Sequence, residues 1–354
     1  KVSGLEGSGD SGTGIAISDC FDVIKEWHNN KPNDPSTGVP RPTIVNMSWG
    51  YGGYFTGISG GSYRGTPWTG NARDTAKGMV GRFDGLGYRY GTRVASVDVD
   101  VEEMIDAGIH VCIAAGNTSQ KIDVAAGLDY NNYFTKTGQG ATAYYYNRGG
   151  SPHSINAHMV GNVDSTIDAG GLEQKASSSE TGPGVSVYAP GTNIMSTTST
   201  INKWGAADGP YPVNDSYLIT NISGTSMAAP QIAGMLALYT QINSSATPSQ
   251  ALSYINTNAK TAKLYDTASS TDYAVSRSLL GGNNRFAFNK FNSSSQMRIG
   301  QTIENTALVP ASYSLSRSVA SVNEGDTFVI TLTTTNITDG TLIPFTVSGI
   351  STDD

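Results

Sequence analysis

The sequence predicts an α/β fold, a parallel sheet held between two layers of helices in a three-layer arrangement, followed by a C-terminal all-β segment. Three observations carry this. Short apolar runs rich in β-branched residues recur at 43–50, 109–114, 159–164 and 185–191, and near-continuous apolar strands mark a parallel sheet covered on both faces. Segments at about 18–29, 97–107 and 232–239 carry apolar residues at helical spacing, as helices packed on such a sheet do. Beyond about residue 309 the pattern becomes alternation around a turn, from Ser312 through Ser321–Asp326 to Phe328–Thr333, the pattern of paired strands.

Composition narrows the function classes. The chain has 354 residues, 38% of them apolar, enough for one large domain plus an appendage. Only 14% are charged and the net charge is −7, so no phosphate-binding surface is expected and nucleic acid is excluded as a partner. No apolar run approaches the ~20 residues of a membrane helix. The opening Lys1-Val2-Ser3-Gly4 is neither a signal peptide nor a start methionine, and the chain is expected to be a piece of a longer polypeptide. Cys20 and Cys112 sit among apolar neighbours and are expected to be buried free thiols.

In chain order, Lys1 to Thr13 is a Gly/Ser-rich loop. A helix follows at about 18–29, with Ile17, Phe21, Ile24 and Trp27/His28 on one side. Thr43 to Gly50, bounded by Pro42, is expected to be a strand buried in the sheet. Tyr51 to about Val94 is Gly- and Tyr-rich, and a long ordered loop of this kind is expected to be a lid or a docking surface. Val97 to Ala107 is a helix closed by Gly108, and Ile109 to Ala114 the next buried strand. It runs into Ala115-Gly116-Asn117, where small residues admit a peptide and the Asn amide can donate an N–H to developing charge. Two more strands follow at Met159–Asp164 and Val185–Gly191. Pro248 to Asn258 is a helix, and Asn284 to Asn289 closes the domain.

The chemistry centres on Gly224-Thr225-Ser226-Met227-Ala228-Ala229-Pro230, followed by apolar residues at Ile232, Met235, Leu236 and Tyr239. A small hydroxyl residue entering a buried helix places a nucleophile beside unpaired backbone N–H groups and a partial positive charge, which suits acyl transfer. Pro230 is expected to fit because a first helical turn needs no proline N–H. The heptapeptide resembles the serine motif of the subtilisin-like peptidases (subtilases), G-T-S-M-A-x-P-H. Gln231 departs from the usual His and is taken as tolerated, since that residue lies behind the nucleophile.

The same resemblance extends over about Lys1 to Phe291. Ile44 to Gly50 resembles the segment I-N-M-S-L-G-G, which implies that Ser48, Trp49 and Gly50 line the substrate cleft. Ala114-Ala115-Gly116-Asn117 resembles A-A-G-N, which implies that Asn117 is the oxyanion-hole asparagine and that Ala114, Ala115 and Gly116 form the second wall, with Thr225 beside the nucleophile Ser226. Met159–Asp164, Ala176–Ser179 and Val185–Gly191 resemble V-G-A-V-D, A-x-F-S-S and V-x-A-P-G. The family crosses 51–94 in far fewer residues, so this stretch is an insertion.

Two motifs of the family have no counterpart here. Asp10-Ser11-Gly12 looks like its aspartate motif but follows loop composition rather than a buried strand. None of His28, His110, His153 and His158 stands in an H-G-T context, and all four are expected to be structural or exposed. A serine without a base, and a base without a carboxylate, is a poor nucleophile. The aspartate and histidine are therefore expected on a preceding segment, a partner of this chain. The alternative is a catalytically inactive subtilase fold serving as a structural component. Calcium is common in the family, but no carboxylate cluster is specific enough to assign a metal site, and no other cofactor is expected.

The segment from 309 resembles the Ig-like or Calx-like β-modules of bacteriophage structural proteins and large surface proteins. That implies a domain division at 1–308 and 309–354, partners among virion or surface proteins reached through the insertion and the tail, and a virion or extracellular location.

Overall fold

The computed structural model describes residues 16–35, 38–168, 170–198, 209–266, 277–289, 312–318 and 329–335. The chain divides into two compact units, 1–290 and 291–354. The expected boundary at 308/309 lies outside the described residues, as does Asp10.

Four strands of the first unit stand side by side in chain order and run parallel: Ile44–Met47, His110–Ala114, His158–Ile167 and Val187–Pro190. Arg285–Phe286 continues the sheet in parallel through the Tyr188–Phe286 pair, and Lys260–Thr261 closes that edge antiparallel. Glu173–Lys175 pairs antiparallel with the later part of His158–Ile167.

Alternation along these strands explains the layers. Val111 and Ile113, with Met47, Met159, Val163 and Tyr188, join the cluster formed with the helices Ile17–Asn30 and Ala95–Asp106. Cys112 and Ala114, with Val160, Val187 and Ala189, join the opposite cluster under the helices Thr225–Ile242 and Pro248–Asn258. Successive side chains of a strand point to opposite faces, so a strand buried on both must be apolar throughout. Ile232 of the serine helix is fully buried there, and truncating it to alanine costs on the order of 2–5 kcal/mol. The helix Pro248–Asn258 starts with a capping box between Thr247 and Gln250, which satisfies two orphan N–H groups. Both cysteines are free and buried.

Three expectations are corrected. Ile44–Met47 pairs only with His110–Ala114 among the described residues, and it is half-buried, with Asn46 exposed. Among the described residues it stands at the edge of the sheet rather than in its interior. Trp27 is 59% exposed, with Lys31 over its ring, because Ile17, Cys20 and Phe21 occupy the buried face of that helix. Pro230 is the sixth residue of the helix that starts at Thr225, so it lies beyond the first turn.

The insertion folds as two small antiparallel sheets. Gly52–Tyr54, Tyr88–Gly91 and Arg82–Phe83 form one; Ile58–Tyr63 and Thr66–Thr69 join Tyr133–Lys136 and Tyr144–Tyr145 in the other. Phe55, Ile58, Met79 and Tyr90 pack with Phe134 and Tyr146 in a separate aromatic core. A buried ion network anchors it: Asp129 accepts two bonds from the Arg64 guanidinium at 2.7 and 3.0 Å and one from Lys121 at 2.8 Å.

In the second unit, Ser312–Arg317 and Ile330–Thr335 form an antiparallel pair, with Leu315 opposite Leu332. The connecting Ser321–Asp326 turn of the sequence reading lies outside the described residues.

Candidate active site

Clefts of open α/β sheets form beyond the carboxyl ends of the strands, and here three strand ends meet the start of one helix. Gly191, just after Val187–Pro190, accepts the N–H of Gly224 through its carbonyl at 2.8 Å. A side chain at Gly191 would lie 2.6 Å from the Gly224 carbonyl oxygen, so only glycine lets the serine helix approach this closely.

Ser48, from the first strand end, and Ser226 are tied reciprocally. Ser48 Oγ donates to the Ser226 carbonyl at 3.0 Å, and Ser226 Oγ to the Ser48 carbonyl at 3.4 Å. The first bond has a cause in the sequence. The Ser226 carbonyl would normally accept the N–H four residues on, which is Pro230 and has none.

At the second strand end, Asn117 Oδ1 accepts from the Thr225 N–H at 2.9 Å and from Thr225 Oγ1 at 3.2 Å. A backbone N–H must meet an oxygen, which fixes the amide orientation and turns Nδ2 away from Thr225, in the cleft that Asn117 and Ser226 both line. Thr225 Oγ1 also accepts from the Gly116 N–H at 3.1 Å. In the first helical turn the N–H of Thr225 is thus taken by Asn117, and those of Met227 and Ala228 by the Gly224 carbonyl. The Ser226 N–H has no partner among the described residues and is a second donor at the same place.

These elements enclose a cleft of ≈350 Å³. Ser48, Trp49 and Gly50 line it from one strand end, Ala114, Gly116 and Asn117 from the next, and Thr225 and Ser226 from the helix. Ala115 is placed differently: it is fully buried in the sheet–helix core, and its carbonyl accepts from Ser151 Oγ at 3.4 Å. The Trp49 ring is supported by Phe21, 6.4 Å away and stacked, and by Tyr51 at 5.6 Å edge-on.

Besides Gly91, Thr118, Gly150 and Ser151, two sets of lining residues were not expected from the sequence. Tyr51, Gly52, Arg82, Asp84, Arg89 and Tyr90 form an insertion wall, in which Asp84 pairs with Arg89 at 3.7 Å. The other is Glu180, 2% exposed. Its carboxyl accepts from Thr118 Oγ1; burial pushes its pKa up to about 7, and the Thr118 bonds hold it back. A signal was present, because Glu180 is the sole charged residue from 176 to 202, directly after the Ala176–Ser179 match.

None of the four histidines lines the cleft. His110 and His158 are buried in the sheet at 2% exposure each. His28 Nδ1 bonds Thr43 Oγ1, and the His153 N–H donates to Asp98. No group of three or more His, Cys, Asp or Glu among the described residues fits a metal ion. The buried pair Asp123 and Asp129 is served by Lys121 and Arg64 instead.

Ser226 at a helix start, with Asn117 and the start of the helix lining one cleft between strand ends, is the arrangement in which a nucleophile and oxyanion donors are looked for. A sequence model of the subtilase family matches residues 40–281, and the chain belongs to that family. It is 32% identical over 183 residues to alkaline serine exoprotease A of Vibrio alginolyticus, covering 51% of this chain and 26% of that protein. It is 29% identical over 171 residues to the subtilisin-like serine protease Pen c 2 of Penicillium citrinum, covering 48% of this chain and 27% of that one. The chain thus spans about a quarter of the length of these relatives. Among solved structures, a cold-adapted subtilisin-like serine proteinase aligns at 20% identity over 80% of this chain and 64% of that chain, with a TM-score of 0.40.

Proposed function

We propose that the chain is the nucleophile-bearing part of a serine endopeptidase that cleaves peptides through an acyl-enzyme on Ser226. The Asn117–Thr225 bond carries this reading, because it turns the Asn117 amide N–H groups toward the place where an oxyanion would form beside Ser226. In the first step Ser226 Oγ attacks the scissile carbonyl, its proton passes to an imidazole, and the same proton is returned to the leaving amine as the C–N bond breaks. Asn117 Nδ2 and the Ser226 N–H bind the oxyanion.

The imidazole and its carboxylate come from polypeptide preceding Lys1. Two observations support this: all four histidines of the chain lie off the cleft, and the strand that carries Ser48 has an open edge among the described residues. The site acts outside the cell, and no described helix is long and apolar enough to cross a membrane. The Ser312–Arg317 and Ile330–Thr335 pair is the start of an Ig-like module that joins the peptidase to a virion or surface assembly.

The off-cleft histidines equally favour a second reading, an inactive subtilase fold kept as a structural component. Casein hydrolysis by the native assembly, abolished by Ser226→Ala, supports the enzyme. Absence of hydrolysis in the native assembly supports the scaffold.

A further inference from the structure

We infer that Glu180 forms the floor of the substrate pocket and selects a cationic side chain, lysine or arginine, at the residue whose carbonyl Ser226 attacks. This rests on the proposed peptidase function and specifies its substrate class.

Backbone forms the path from Ser226 to Glu180. A side chain at Gly50 would meet the Gly150 carbonyl oxygen at 2.7 Å, so these two segments touch through glycine. Ser151, next to Gly150, bonds the Ala115 carbonyl. Gly116 follows, and a methyl there would lie 2.6 Å from the Glu180 carboxyl carbon. Gly50, Gly116, Gly150, Ser151 and Glu180 all line the same cleft as Ser226. Along this path the walls are glycine and serine, which leave width for a long side chain, while the aromatic lining residues Trp49, Tyr51 and Tyr90 belong to other parts of the cleft wall.

Glu180 is equipped for charge at the end of that path. Its Oε1 accepts from Thr118, whereas its Oε2 is buried with no hydrogen-bond partner among the described residues. Among the described residues no lysine or arginine forms an ion pair with it. An isolated buried carboxyl carries a desolvation cost that a cation or a strong donor relieves, and a bound ammonium or guanidinium would occupy the vacant oxygen. Of the two arginines in the cleft wall, Arg82 and Arg89, the second already holds Asp84. Glu180 also braces the turn after Asn117 through Thr118, and that bracing alone would create no preference among substrate side chains.

The test reads equilibrium binding, so its outcome is separate from whether the assembly turns over. N-acetyl tetrapeptide acids ending in arginine, citrulline, lysine or phenylalanine are titrated against the full chain at pH 8 by calorimetry. Arginine and citrulline share shape and differ in charge. Binding of arginine at least 10-fold tighter than citrulline, with lysine tighter than phenylalanine, is expected, and Glu180→Gln should bring arginine and citrulline within twofold. Equal affinities in the wild-type chain, tighter binding of phenylalanine, or no binding of any peptide at millimolar concentration would overturn the assignment. The wild-type comparison decides even if Glu180→Gln fails to fold. Failure of Ser226 to react with acylating probes in the native assembly would count against the peptidase reading and leave this comparison standing.

Discussion

Ser48 Oγ donates to the carbonyl of Ser226 because Pro230, four residues further on, has no N–H to offer it. One proline thus couples the Ser226 backbone to a residue 178 positions earlier in the chain. Removing the donor should leave a part-buried carbonyl unsatisfied, at about 1–3 kcal/mol. Ser48→Ala is therefore expected to destabilise the chain by that amount in urea unfolding. In a Pro230→Ala background the helix regains its own N–H, and the same substitution should cost less than about 0.5 kcal/mol. Equal costs in the two backgrounds would show that the bond is incidental.

Asn117 has two separable duties. Its Oδ1 caps the Thr225 N–H, and its Nδ2 is the free donor. Asn117→Asp keeps the acceptor, at a helix start where negative charge is favourable, and removes the donor. Stability is expected within about 1 kcal/mol of wild type, with turnover in an active assembly down by at least ~10² to 10³ and apparent affinity little changed. Asn117→Leu loses both groups and should lose stability as well. A defect confined to substrate affinity would contradict the oxyanion role.

The insertion's attachment rests on a buried acid. Asp129 is fully buried with Arg64 and Lys121 on its oxygens, and Asp129→Ala would take the carboxylate from Arg64 and leave Lys121 with Asp123, 3.3 Å away, at a cost of about 3–5 kcal/mol. Near-UV circular dichroism, dominated there by Phe55, Tyr90, Phe134 and Tyr146, should lose intensity at a lower urea concentration than in wild type. An unchanged midpoint would mean that the aromatic core holds the insertion alone.

The sheet and the serine helix were legible in the sequence because period and length agree at each element: Val111, Cys112 and Ile113 are apolar on consecutive positions only because both faces are covered. Asn117 and Ser226 were legible through short motifs tied to backbone geometry. The edge position of Ile44–Met47 was not, since its apolar residues read the same whether one neighbour or two supply its hydrogen bonds. The pairing of Ile58–Tyr63 with Tyr133–Lys136 was equally hidden, because 70 residues separate segments whose Gly, Tyr and Thr content marks neither as a partner. Glu180 was missed since a single carboxylate in a Ser-rich loop declares no burial. Its environment comes from Gly116 and Thr118, which approach it only in the folded chain.

Acid should destabilise the fold through its buried histidines. Burial pushes His158 down to about 3, and burial with the nearby Arg93 charge pushes His153 down to about 4. Both are neutral in the folded chain, whereas the unfolded chain protonates them near pH 6.5. Their contribution is therefore full above about pH 6.5 and is lost as pH falls toward 4 and 3, on the order of 3 kcal/mol each by pH 4. Glu180 runs the other way: its raised pKa favours the fold below about 4.5, and that contribution is lost as pH rises through about 7. Urea midpoints at pH 7 and pH 4 should differ less in His158→Gln than in wild type. Parallel losses in the two proteins would exclude His158 as a source of the acid sensitivity.

The proposed function makes Ser226 a competent nucleophile whose base lies on polypeptide preceding Lys1. A fluorophosphonate probe with mass-spectrometric mapping of the modified peptide tests it most directly, on the native assembly and on the chain expressed from Lys1 alone. The account predicts phosphonylation of Ser226 in the assembly and none in the isolated chain. Labelling of the isolated chain would reveal another base within it, and an unlabelled Ser226 in the native assembly would contradict the account outright.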